Sequence, residues 1–272
     1  MRNLLHACAL GLSLALPALP AAAAGPLDQV VEASLLPGWR TADGRHMAAL
    51  RIRLEPGWKT YWRAPGDVGI PPEFDWRASG NLAGAEITWP TPHRFDQGGV
   101  TTIGYKDEVI LPISFTPARE GQDIALRGTL DMGVCSDVCV PISLNVSAEL
   151  PRDATSPDPR IAAALAARPF TAQEAGAHGL HCTITPGADG ALALRAEVTL
   201  PGTGGAEMAV IETDNPQVWV APARTQRVGD RLIAETELVH VDGRAFALDR
   251  SGLRLTVLGG SQAVDFQGCP AE

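Results

Sequence analysis

Positive charge is scarce in this chain: 22 Lys and Arg stand against 31 Asp and Glu, a net charge of −9. A nucleic-acid surface needs clustered basic side chains, so that class of partner is excluded. No GxSxG, HExxH or calcium-loop pattern occurs, which removes the serine-hydrolase, zinc-protease and EF-hand readings. Beyond residue 24 no apolar run approaches the roughly 20 residues needed to span a bilayer. The glycine-rich Gly202-Thr203-Gly204-Gly205 lies between two strand-like runs without a following Lys, and reads as a loop rather than a phosphate cradle.

What is present begins with a leader. Arg2 precedes a Leu- and Ala-rich stretch from Leu4 to Leu19, and Ala22-Ala23-Ala24 then offers small residues before Gly25. That order of charge, apolar segment and small residues predicts a cleaved signal peptide over residues 1–24. Export to an oxidising space, the periplasm, follows, with a mature chain that does not span the membrane. Cys8 leaves with the leader, and Cys135, Cys139, Cys182 and Cys269 remain.

The mature sequence is patterned with period two. Ala48, Leu50, Ile52 and Leu54 alternate with Arg51 and Arg53; Val109, Leu111, Ile113 and Phe115 repeat the pattern, and Pro112 on the other face suggests an edge strand. Ile124, Leu126, Leu130, Met132 and Val134 form one run, and Val140, Ile142, Leu144, Val146, Ala148 and Leu150 form the next. All are even-numbered, so each strand has a single apolar face. Between 151 and 170, Pro151, Pro157, Pro159 and Pro169 bracket an Ala-rich stretch from Ile161 to Ala167, with Asp158 as the N-cap of one short helix. Alternating runs then return around Thr183, 191–200, 208–211, 218–220, 232–239, 253–258 and 263–266, separated by turn signals. An all-β chain is expected, with two sandwich domains at 25–150 and 171–272 and a linker at 151–170.

Cys135 ends one strand and Cys139 starts the next, so Ser136-Asp137-Val138 must reverse the chain for the two to meet. Both are odd-numbered and are expected to share the outward face. A bridge across so small a ring is a poor staple. A redox dithiol, a turn-pinning bridge and a pair of idle thiols all fit the spacing, which is not the CxxC of a thioredoxin. No His, Lys or Arg lies between Asp131 and Pro141 to favour a thiolate, and Asp131 and Asp137 oppose one, so slow reaction with random oxidants is expected. Reduced Cys135 and Cys139, with Met132 as a third candidate, would offer soft ligands to Cu(I), although the even parity of Met132 points it inward. Cys182 and Cys269 lie at the two ends of the second domain, where a bridge would be a structural staple. His178, His181 and Cys182 form a weaker metal-site alternative.

Three segments carry a resemblance. GWKTYWRAPGDVGIPPEFDW (Gly57 to Trp76), WPTPHRF followed by GYKDEVILPI (Trp89 to Ile113), and GVCSDVCVP (Gly133 to Pro141) resemble the N-terminal periplasmic domain of DsbD-type thiol–disulfide interchange proteins. The likeness covers residues from about 30 to 150. With its second β domain, the whole chain is most similar to the suppressor-of-copper-sensitivity branch. The resemblance implies immunoglobulin-like sandwiches and a cysteine pair that passes electrons between a membrane reductase and thioredoxin-fold proteins, without a cofactor or metal. It further implies Cys139 as the residue that forms the mixed disulfide with a partner and Cys135 as the one that resolves it. Phe95, in the stretch from His93 to Gly98, becomes the cap over the pair, with Asp96 and Tyr105 beside it for partner docking. The chain carries neither the transmembrane reductase segment nor a thioredoxin-like domain, so a separate membrane thiol reductase is the expected electron source. The aromatic set Trp58, Tyr61, Trp62 and Trp76 is open between core packing and a docking surface. A redox-inert partner-binding module remains the other alternative.

Overall fold

The computed structural model describes residues 30–270. The expected leader, Cys8 and the cleavage after Ala24 lie outside the described residues.

The first half is β1 (Val31–Arg40), β2 (His46–Leu54), β3 (Lys59–Gly66), β4 (Glu73–Asp75), β5 (Leu82–Ile87), β6 (His93–Gln97), β7 (Val100–Lys106), β8 (Glu108–Pro117), β9 (Ile124–Cys135) and β10 (Cys139–Leu150). One sheet has the order β1-β2-β8-β5; the other runs β10-β9-β3-β7-β6, with β4 also on β9. The apolar faces read from the sequence meet between them: Leu50, Ile52, Leu111, Leu126, Leu130 and Met132 form a core with Trp62, Ile103 and Phe115. Two facing antiparallel sheets around one core make a β-sandwich.

β8 is not the edge strand that Pro112 suggested; it lies between β2 and β5. Its pairing with β5 stops at Ile87↔Ile113, and the Pro112 carbonyl accepts the Thr88 N–H just beyond, at 2.9 Å. The missing proline donor faces the same residue, so this last pair keeps one bond of two and the β5 ladder ends there. Pro112 is buried. The outer face of this sheet is covered by α1 (Pro159–Ala166), whose Ile161 packs on Leu36 and Ala49. Asp158 caps the helix by accepting the Arg160 N–H at 2.8 Å.

The second half is β11 (Phe170–Thr171), β12 (His178–Pro186), β13 (Leu192–Thr199), β14 (Met208–Glu212), β15 (Val218–Val220), β16 (Arg224–Val228), β17 (Arg231–His240), β18 (Arg254–Leu258) and β19 (Ala263–Gln267). These form a sheet β11-β19-β18-β14 facing a sheet β12-β13-β17-β15, with β16 also on β17. The chain is therefore all-β, two sandwiches and one short helix. Cys182 on β12 is bridged to Cys269 just past β19, with α-carbons 5.6 Å apart, and both sulfurs lie in the second core.

The two sandwiches share a contact built on β3 and β14. Met208, Val210, Leu258 and Ala263 join the first core. Beside them Arg63 donates to Glu212 through Nε at 3.0 Å and Nη2 at 2.9 Å, and to Thr256 Oγ1 at 3.1 Å. Its guanidinium carbon sits 3.8 Å above the Trp62 ring. Burial lowers the Arg63 pKa and raises that of the Glu212 carboxyl, so both charges depend on one another. Removing one partner of such a pair strands the other in a dry site, at about 3–5 kcal/mol. Arg63→Met should accordingly lower the denaturant midpoint by that much, and Arg63→Met with Glu212→Met should recover most of the loss. A single-variant loss below about 1 kcal/mol would mean that the pair behaves as an exposed one.

Candidate functional site

β9 and β10 run in unbroken register from Leu150↔Ile124 to Cys139↔Cys135. The turn closes with Ser136 N–H on the Val138 carbonyl at 3.1 Å. Directly opposite residues of an antiparallel pair share a face, so the two cysteines meet and are bridged, with α-carbons 4.1 Å apart. Parity placed them on one face correctly, but the two differ in depth. Cys135 is 1% exposed, whereas Cys139 is open to solvent. The reason is sheet order: β10 ends the sheet, while β9 is flanked on its other side by β3, with Lys59 opposite Cys135 and Thr60 opposite Val134.

Lys59, Tyr61 and Cys135 share odd parity, and β3 turns Tyr61 over the pair. The Tyr61 hydroxyl lies 2.8 Å from Cys135 Sγ and 3.1 Å from Cys139 Sγ. Neither bridged sulfur has a proton, so the phenol donates to both. The ring fits because of two glycines: a Cβ on Gly133 would stand 3.1 Å from it and one on Gly69 2.8 Å. Burial raises the Tyr61 pKa and keeps it a donor. In the sequence, Tyr61 belongs to the aromatic set that is open between core packing and a docking surface. Within that set Trp62 is wholly buried, and Trp76 packs edge-on against Phe115 with ring centroids 5.3 Å apart. Core packing therefore accounts for those two, while Trp58 is half-buried at the cleft rim.

An open cleft of about 700 Å³ reaches Cys135 from the side of β6 and β7. Phe95, Asp96, Lys59, Lys106, Ser136 and Asp137 contribute to its walls. Phe95 stands on β6 and is half-buried. Asp96 accepts Thr101 Oγ1 at 2.6 Å and Arg94 Nε at 3.0 Å, and the Thr101 hydroxyl followed by Arg94 holds its carboxyl below the ordinary value. Tyr105, expected beside the cap for partner docking, is 5% exposed, and its hydroxyl donates to the Pro90 carbonyl at 2.8 Å inside the sandwich. On the open side, Val138 is 63% exposed at the tip of the cysteine turn.

The window from Asp131 to Pro141 offers no cationic side chain, but the fold brings one across from β3. Lys59 Nζ is 3.0 Å from Thr102 Oγ1 and 5.1 Å from the Phe95 ring centroid. The two metal alternatives fare differently from the dithiol. Met132 is in the core, turned away from the cysteines as its parity requires. Cys182 has its sulfur committed to Cys269, which takes the thiolate from a site with His178 and His181.

Residues 32–151 match the family model described as thiol:disulfide interchange protein DsbD, N-terminal. Among solved structures, the chain is similar to the crystal structure of the N-terminal periplasmic domain of ScsB from Proteus mirabilis. The TM-score is 0.62 at 22% identity, over 91% of this chain and 97% of that one. At that identity the likeness is one of fold, extending through both sandwiches. No curated protein matches this chain.

Proposed function

Because residues 32–151 form a domain of the DsbD N-terminal family, we propose that this chain is a periplasmic thiol–disulfide exchange protein. It passes electrons through Cys135 and Cys139 to or from a thioredoxin-fold partner, with a separate membrane thiol reductase as its source. One observation carries the reading: a bridged pair with one open sulfur, Cys139, and one buried sulfur, Cys135, both held by a single tyrosine hydroxyl.

The asymmetry supports one order of steps. A partner thiolate attacks Cys139 Sγ, the sulfur in reach. A partner–Cys139 bond forms, the Cys139–Cys135 bond breaks, and the electron pair leaves on Cys135 as thiolate. The partner's second thiolate then attacks its own sulfur in the mixed disulfide and releases Cys139 as thiolate. The partner ends oxidised and the pair reduced; the reverse sequence delivers the two electrons to a partner disulfide. Phe95 shields the buried sulfur until a partner docks at the cleft, and the exposed Val138 supplies apolar contact next to Cys139.

In the forward step the Tyr61 hydroxyl donates a hydrogen bond to the sulfur that gains charge. Hydrogen bonds to charged groups contribute about 1.5–3 kcal/mol, so Tyr61→Phe should slow exchange about tenfold or more. Stopped-flow exchange against a thioredoxin-fold partner measures this. A rate within a factor of two of the parent would remove Tyr61 from the mechanism.

A further inference from the structure

The mechanism leaves a negative charge on Cys135, which is 1% exposed. A thiolate that cannot reach water needs a counter-charge. The cleft presents several charged groups: Arg94 and Asp96 from β6, Lys106 and Asp107 at the end of β7, Asp137 from the turn, and Lys59 from β3, with the Tyr61 phenol above. The three aspartates repel a thiolate. Arg94 is paired with Asp96 at 2.9 Å. Lys106 lies one strand further off, opposite Lys59. Of these charged groups, Lys59 is the register partner of Cys135, on the same face of the adjoining strand. Its ammonium rests on two neutral groups, the Thr102 hydroxyl and the Phe95 ring, and Lys106 beside it disfavours that placement.

We propose that Lys59 is the counter-charge of the leaving sulfur: parked on Phe95 and Thr102 while the disulfide is closed, it turns to the Cys135 thiolate when a partner lifts Phe95. Cap opening and bond cleavage are thereby coupled through one side chain. Lys59 stays protonated throughout; the electron pair of the broken bond remains on Cys135 Sγ. Lys59 is a positioning and charge-stabilising residue and does not itself react. The inference rests on the exchange reading above.

The test uses the chain without its expected leader, residues 25–272, carrying Cys139→Ser, which leaves Cys135 as the single free thiol beside an intact Cys182–Cys269 bridge. Its thiolate is titrated by ultraviolet absorbance in the Lys59 parent and in Lys59→Met, Lys59→Gln and Lys59→Arg. Loss of the ammonium should raise the Cys135 pKa by about one unit, a tenfold fall in thiolate fraction, with Lys59→Arg recovering most of it. In the unmodified pair, Lys59→Met should shift the pH–rate profile of exchange upward by the same interval. Titration unchanged in both Lys59→Met and Lys59→Gln, with native circular dichroism, overturns the proposal. Failure of the exchange reading is separate: there the unmodified pair forms no mixed disulfide, whatever Lys59 does to the thiol.

Discussion

Cys135→Ser should capture a thioredoxin-fold partner as a stable mixed disulfide, whereas Cys139→Ser should capture none. The asymmetry follows from depth. Attack on a sulfur requires an open line of approach; Cys139 has one at the sheet edge, and Cys135 is 1% exposed beneath Tyr61. With Cys135 replaced, Cys139 can still attack a partner disulfide, but no thiolate stands opposite it at Cα register to resolve the product. Turnover in either variant should fall to about a thousandth of the parent or less, since the two sulfurs act as a unit. The loss will not come from unfolding. A ring this small accounts for about 2 kcal/mol of loop-closure stabilisation, and the β9–β10 ladder below it remains. Equal trapping by both variants would contradict the assignment of roles.

The second large effect falls on the other bridge. Cys182→Ser with Cys269→Ser opens a loop of 87 residues. On the chain-entropy model that removes about 4–5 kcal/mol, against about 2 for the Cys135–Cys139 ring. The denaturant midpoint of the double variant should drop accordingly, with mixed-disulfide formation at Cys139 still present wherever the protein is folded. The contrast separates a staple from an exchange site within one chain. A loss below about 1 kcal/mol would show that β12 and β19 are held by packing alone.

The sequence was most legible where one face of a strand is wet. The even-numbered runs of β9 and β10 and the alternation in β2 gave the strands, the core face and the shared face of the cysteines before any coordinates. It was least legible at β3. Thr60, Tyr61 and Trp62 are all buried, because one side of β3 faces the core and the other is covered by Gly69, Ile70 and the cysteine turn. A strand covered on both faces has no alternation to read, so nothing in the pattern places Lys59 and Tyr61 beside the cysteines. Parity also fixes a face and not a depth. The difference between Cys135 and Cys139 comes from which strand ends the sheet, a property of long-range order. Pro112 shows the same limit: a proline is compatible with an inner strand at the point where the neighbouring strand's ladder ends. Tyr105 was assigned from the likeness of a segment, and segment likeness does not say which way a side chain turns.

The most direct test of the central claim is a redox titration of the chain without its expected leader, residues 25–272. The protein is equilibrated in glutathione buffers of graded potential, quenched by alkylation and mapped by mass at all four cysteines. Cys135 and Cys139 should pass together from oxidised to reduced within the accessible range, while Cys182 and Cys269 stay bridged, as structural disulfides with potentials below about −300 mV do. A Cys135–Cys139 bridge that stays closed across the same range would contradict an exchange function for this chain.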